Sequence, residues 1–135
     1  MKTTNTSHSS GFTIIELIFI IVLLGAASVL FFVQKNNLEV AGRDETRKTS
    51  INAMYYSIEE VYFKKNNFYP RTIDATVLPS VDPKLFTDPN GVKIGEGTSE
   101  YRYEPYNCNG DQCKNYTLRT TLENEDDYVK KNRSN

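Results

Sequence analysis

Residues Phe12 to Val33 form an apolar run of about 22 residues, interrupted only by Thr13, Glu16 and the small residues Gly25, Ala26, Ala27 and Ser28. At about 1.5 Å of rise per residue, a helix of that length extends roughly 33 Å, enough for a hydrocarbon core of about 30 Å. The run is too long for the apolar core of a secretory signal, which spans about 7 to 15 residues, and no Ala-x-Ala type of cleavage site closes it. A membrane span is therefore expected. Glu16 is the anomaly within it. A carboxylate at the centre of a spanning helix costs about 2.5 to 3.5 kcal/mol on insertion scales and is normally paired inside a bundle. No Lys, Arg or His lies between Phe12 and Gln34, so the span holds no side-chain cation for it.

The preceding residues, Met1 to Gly11, are polar, with Lys2 the sole side-chain cation. Such a leader stays on the cytoplasmic side if the positive flank remains inside. A cut immediately before Phe12 creates an α-amino group four residues ahead of Glu16 and on the same helix face. The partner that Glu16 lacks is thus available after cleavage, from its own chain or from a neighbour.

The stretch Gly11-Phe12-Thr13-x-x-Glu16-Leu17, followed by the apolar run, closely resembles the class III signal of type IV pilins and pseudopilins. The resemblance implies a prepilin peptidase that cuts between Gly11 and Phe12 and N-methylates Phe12. It also implies that Glu16, with Phe12 and Thr13, serves assembly. The implied partners are further copies of the chain, with or without minor pilins, in a homopolymeric filament, and an assembly platform driven by an ATPase motor. The implied location is the inner or cytoplasmic membrane for a single-pass precursor, then an extracellular pilus. The family often has a proline late in its apolar stretch, whereas the first proline here is Pro70. The small residues Gly25 to Ser28 are accordingly read as close packing between helices rather than a point of melting.

The helix is expected to continue past the membrane. From Leu38 to Lys65 there is no proline, and Ile51, Met54, Tyr55, Ile58, Val61 and Tyr62 recur at helical spacing, which gives one core-facing stripe. Lys35, Glu39, Arg43, Asp44, Glu45, Arg47 and Lys48 read as a solvated collar of mixed charge. Asn66-Asn67 ahead of Phe68-Tyr69-Pro70 ends the helix, because Pro70 lacks an amide hydrogen and disfavours helical geometry at Tyr69. A helix from Phe12 to Lys65 would be about 81 Å long. The domain plan is therefore a leader at 1–11, an apolar helix at 12–33, its amphipathic continuation at 34–66 and a small head at 67–135. The fold class is α+β, the pilin fold: a long helix packed on a small antiparallel sheet.

In the head, Asp88-Pro89-Asn90-Gly91 reads as a type I turn. Tyr101, Tyr103 and Tyr106 open one strand and Tyr116 to Leu122 form another, so two or three strands cover the helical stripe, with Leu85, Phe86, Val92 and Ile94 at the margins. The turn ahead of Tyr-x-Tyr also resembles the head of major pseudopilins. Cys108 and Cys113 flank Asn109-Gly110, a turn-forming pair, and their thiols are expected to join across the hairpin end in an oxidising compartment. Two cysteines are too few for a zinc site, and four intervening residues do not match a thioredoxin-like pair.

No catalytic constellation is legible, and the only histidine, His8, lies in the leader. No metal or other cofactor is expected. Asp82, Asp88, Glu96 and Asp111 match no calcium-loop spacing and are assigned to turns and surface. The formal net charge of -1 argues against a basic nucleic-acid surface, although some pilin-like fibres take up DNA; neither DNA nor a cell-surface ligand is singled out. Glu123 to Asp127 and the following Lys130, Lys131 and Arg133 read as a solvated tail. Asn115-Tyr116-Thr117 has the form of a glycosylation acceptor. The expected function is that of a type IV pilus subunit serving adhesion or twitching motility. Its alternatives are a pseudopilin of a type II secretion or competence system, and a monomeric membrane-anchored binding module.

Overall fold

The computed structural model describes residues 11–133, so the leader lies outside the described residues apart from Gly11. The chain divides into two compact units, one ending at Leu38 and the other beginning at Glu39. Helix α1 runs from Ile14 to Tyr56, followed by a π-helical segment, Ser57–Phe63, and a last α-turn, α2, Lys64–Asn66. Asn67 caps this end in the left-handed conformation, at φ 60°, a conformation that asparagine tolerates better than most residues. The stop predicted at Asn66-Asn67 is where the helix ends.

Four strands follow: β1 (Tyr69–Pro70), β2 (Tyr101–Asn109), β3 (Gln112–Thr120) and β4 (Tyr128–Lys131), all antiparallel to their neighbours. β2 lines the whole of one edge of β3. The other edge is shared, with β1 at Gln112 and Cys113 and β4 from Thr117 to Thr120. Asn132 bridges the gap: its Oδ1 accepts from the Tyr116 amide at 3.3 Å, and its own amide donates to the Tyr116 carbonyl at 3.4 Å. The result is the α+β layout of a long helix and a small antiparallel sheet, the arrangement of the pilin fold.

The core of the second unit joins Ile51, Met54 and Ile58 of the helix to Tyr69, Tyr101, Tyr116 and Leu118 of the sheet, with Ile73, Leu78, Val81 and Phe86 closing it from the loops. Each fully buried Ile, Leu or Met side chain contributes about 1.5 to 3 kcal/mol relative to exposure. The loop between β1 and β2 is tied down by its aspartates. Asp82 caps a 3-10 turn at Pro83–Phe86, and Asp88 accepts from the amides of Asn90, Val92 and Glu100 at 2.9 to 3.0 Å. The Gly91 amide reaches the Asp88 carbonyl at 2.9 Å, closing the predicted turn, and Gly91 has φ +85°, which a side chain would disfavour.

Several expectations need correction. The collar is not all solvated: Asp44 and Arg47 are buried, at 4% and 1% exposure. The tail after Glu123 is not frayed, since Tyr128–Lys131 is a strand of the sheet. The second long strand begins four residues earlier than Tyr116 and ends at Thr120. The hairpin turn is Gly110-Asp111 rather than Asn109-Gly110, because Asn109 pairs with Gln112. Val61 is exposed, not core. The π segment widens the helix and carries the consecutive residues Ser57, Ile58 and Glu59 inward, and the apolar stripe loses its period there.

Candidate functional site

The N-terminal segment assembles the residues singled out from the sequence. Gly11, Phe12 and Thr13 precede the first helical residue, Ile14. Thr13 Oγ1 accepts from the Glu16 amide at 3.4 Å and the Thr13 carbonyl accepts from the Leu17 amide at 3.1 Å, so Thr13 is the N-cap of α1. Glu16 is then the third helical residue, and Thr13-x-x-Glu16 has the pattern of a capping box, with a carboxylate placed where the helix dipole favours it. Its place in the first turn suits the helix dipole, a local fit besides the role the signal implies.

Beyond this cap, every residue from Phe12 to Val33 is exposed. Phe12 is 74% exposed and Phe31 and Phe32 about two-thirds exposed. The helix is unbroken from Gly25 to Ser28, and Ser28 Oγ donates back to the Leu24 carbonyl at 2.7 Å. A Cβ built on Gly25 would meet nothing within 4 Å, which leaves that face open to a close neighbour. The helix is long and apolar enough to cross a membrane. No family model, curated protein or solved structure matches the chain.

In the head, Cys108 and Cys113 form a disulfide across directly paired positions of the β2–β3 hairpin, with Cα atoms 3.9 Å apart. Gly110 in the turn has φ +62°. The bond therefore joins a hairpin to itself, as expected.

Sequence reasoning missed two buried charge centres. Around Arg47, Nε donates to Glu100 at 2.6 Å and Nη1 to both Asp44 at 2.9 Å and Glu123 at 2.8 Å. Asp44 also accepts from the amides of Glu123 and Asn124 at 3.0 to 3.2 Å, and Arg43 grips the Glu123 carboxylate from outside. One turn of α1 thereby clips both the β3–β4 connection and the residue before β2. Burial alone would depress the Arg47 pKa, but the hydrogen bonds it donates to Glu100 and Glu123 outweigh it and hold the guanidinium above its ordinary value. Burial pushes Asp44 up, but the two amides and Arg47 bring it below the ordinary carboxylate value. The hydrogen bonds from Arg43 and Arg47 hold Glu123 down to about 2.

The second centre is Glu59 in the π segment. It accepts from Tyr116 Oη at 2.8 Å, Tyr69 Oη at 3.3 Å and the Arg133 amide at 3.2 Å. Burial, then the neighbouring Glu59, push the Tyr116 phenol well above its ordinary value, so it stays a donor. The Arg133 guanidinium contacts Glu60 and Tyr55. The pair Glu59-Glu60 between Tyr55-Tyr56 and Tyr62 is visible in the sequence, but its pairing with the last residues described is not. Both centres fasten the sheet to the helix.

Proposed function

We propose that the chain is a structural subunit of a type IV pilus, made as a prepilin, cut after Gly11, methylated at Phe12 and polymerised through its N-terminal helix. The observation that carries this reading is the placement of Glu16 in the first turn of a helix whose apolar side chains are all exposed as far as Val33, four residues from Phe12. Such a surface is stable only under lipid or other apolar helices, and each covered Ile, Leu or Phe returns about 1.5 to 3 kcal/mol.

The physical logic links maturation to assembly. Before cleavage Glu16 has no cation, and insertion into lipid carries that penalty. After cleavage the Phe12 ammonium of one subunit meets the Glu16 carboxylate of the next as both leave the bilayer. A subunit out of register leaves two unpaired charges in an apolar core, so the pair selects register more than it adds stability. The built turn at Asp88–Gly91, ahead of Tyr101-x-Tyr103, favours as a second reading a pseudopilin of a secretion or competence system, which would polymerise by the same chemistry.

The test is Glu16→Ala. The variant is expected to be processed and inserted like the parent but to give at least tenfold fewer sheared fibres by immunoblot and electron microscopy. Fibre yield equal to the parent would overturn the role of Glu16. Processing and insertion without polymer from the parent itself would favour a monomeric anchored module.

A further inference from the structure

Two non-glycine residues among those described have a left-handed backbone, Asn67 at φ 60° and Asn107 at φ 55°, and both line one groove of about 500 Å³. Asn67 is explained by its place at the helix end. Asn107 is not at a turn: it sits inside β2, with Tyr106 and Cys108 on either side both paired to β3. A left-handed position within a paired strand persists only where its surroundings hold it, and such positions cluster at ligand sites.

The chemistry of the groove is selective. Asn67, Asn107, Asn109 and Gln112 each bring a carboxamide, and none of these side chains makes a hydrogen bond to any described residue. A carboxamide presents a donor and an acceptor side by side, the complement of a hydroxyl group, which is both. The lining has one cation, Lys114, and no carboxylate. An anion as dense as a phosphate calls for a cluster of cations and a metal ion calls for carboxylates, histidines or cysteines. A wholly apolar ligand would strip water from four amides and satisfy none.

A fifth carboxamide, Asn115, already accepts from Asn132 at 3.2 Å, and Cys113 and two aromatic rings complete the lining. Phe63 is backed by Tyr69, stacked at 4.6 Å, and Phe68 is braced edge-on by Tyr62 at 5.9 Å. Both are half-buried, so each ring is fixed yet keeps some surface in the groove. The opposite wall is the disulfide-closed hairpin end. Fixed walls lower the ordering cost of binding, and the volume falls within the usual range of about 300 to 1,000 Å³ for ligand sites.

We infer that this groove is a binding site for a neutral saccharide, whose hydroxyl groups bridge the carboxamides of Asn107, Asn109 and Gln112 while an apolar ring face rests on Phe63 or Phe68. The inference concerns the single head and does not depend on polymerisation.

The experiment uses the full chain in a sugar-free zwitterionic detergent, probed by saturation-transfer NMR with tri-N-acetylchitotriose, maltotriose, mannotriose and lactotriose, and with 3′-sialyllactose as the acidic comparison. Transfer to ring protons of at least one neutral trisaccharide is expected. Affinity should fall at least tenfold in Gln112→Glu, which keeps size and shape, and in Asn109→Ala, each checked for an intact disulfide and native circular dichroism. Lys93→Ala, exposed and outside the groove, should bind like the parent. The same sugars immobilised by the reducing end separate a surface glycoconjugate, captured in that form, from a free oligosaccharide, which is not. Transfer to no neutral sugar, transfer to sialyllactose alone, or undiminished binding in both groove variants would overturn the assignment.

Discussion

At the residue scale, Arg47 carries the most weight in the head. Its guanidinium is buried, yet its carboxylate partners come from three separate places in the chain: Asp44 on the helix, Glu100 ahead of β2, and Glu123 after β3. Removing one partner of a buried ion pair costs about 3 to 5 kcal/mol, because the other charge is left without compensation. Arg47→Met should therefore lower the head's stability by about 3 kcal/mol or more, read from the urea midpoint by tyrosine fluorescence, since the chain has no tryptophan. Lys48→Met, whose pairing to Glu125 is more exposed, should change it by less than about 1 kcal/mol. The acid response follows from the same cluster. Glu123 is held at about 2 against an ordinary 4.5, and Asp44 lies below its ordinary 3.8. Groups depressed by folding stabilise above their unfolded pKa and lose that contribution as pH falls through the folded one. Between about pH 4.5 and 2 the clip should loosen, seen as faster hydrogen exchange at the Glu123 and Asn124 amides that donate to Asp44. Unchanged protection at pH 2 would contradict it.

At the scale of elements, the hairpin disulfide closes a short loop, with a sequence separation of 5. The chain-entropy relation assigns such a loop about 2 kcal/mol. The paired variant Cys108→Ser and Cys113→Ser should lose about that much in urea while keeping the fold, with exchange faster at Asn109 and Gln112 than at Leu118. Helix α1, its stop and the hairpin were legible because each rests on local chemistry: apolar runs, a proline block, a glycine turn. The burial of Asp44 and Arg47 was not, because a mixed-charge helix face looks the same whether water or distant carboxylates satisfy it. Glu100 and Glu123 lie more than 50 residues away, and no spacing rule connects them. β4 was hidden for a related reason. Its four residues carry three polar or charged ends among Tyr128-Val129-Lys130-Lys131 and pair only at the edge of β3, so composition reads them as tail. The π segment likewise left no local mark: Ser57-Ile58-Glu59-Glu60 is ordinary helical sequence, and the tyrosines that take up Glu59 come from outside the helix, in β1 and β3.

At the scale of the whole molecule, the chain combines two kinds of surface. One unit exposes apolar side chains along its helix, and the other buries its apolar residues under a sheet held by ionic clips. On the proposed reading, lipid or further copies cover the first. The Thr13 cap then begins the helix, with Glu16 in its first turn, at the point where cleavage supplies the missing cation, so that polymer formation waits on processing. Of the candidate functional residues, Gly11, Phe12, Thr13 and Glu16 were readable from one short motif, whereas the amide-lined groove needed Asn67 and Asn107 to be brought together by the fold. The most direct test is mass spectrometry of the main component of fibres sheared from cells that express the chain, with electron microscopy of the same sample. The account predicts a polymer whose subunit begins at N-methylated Phe12, lacks residues 1–11 and retains the Cys108–Cys113 bond. A subunit that starts elsewhere, or processed chain that forms no polymer, would contradict it.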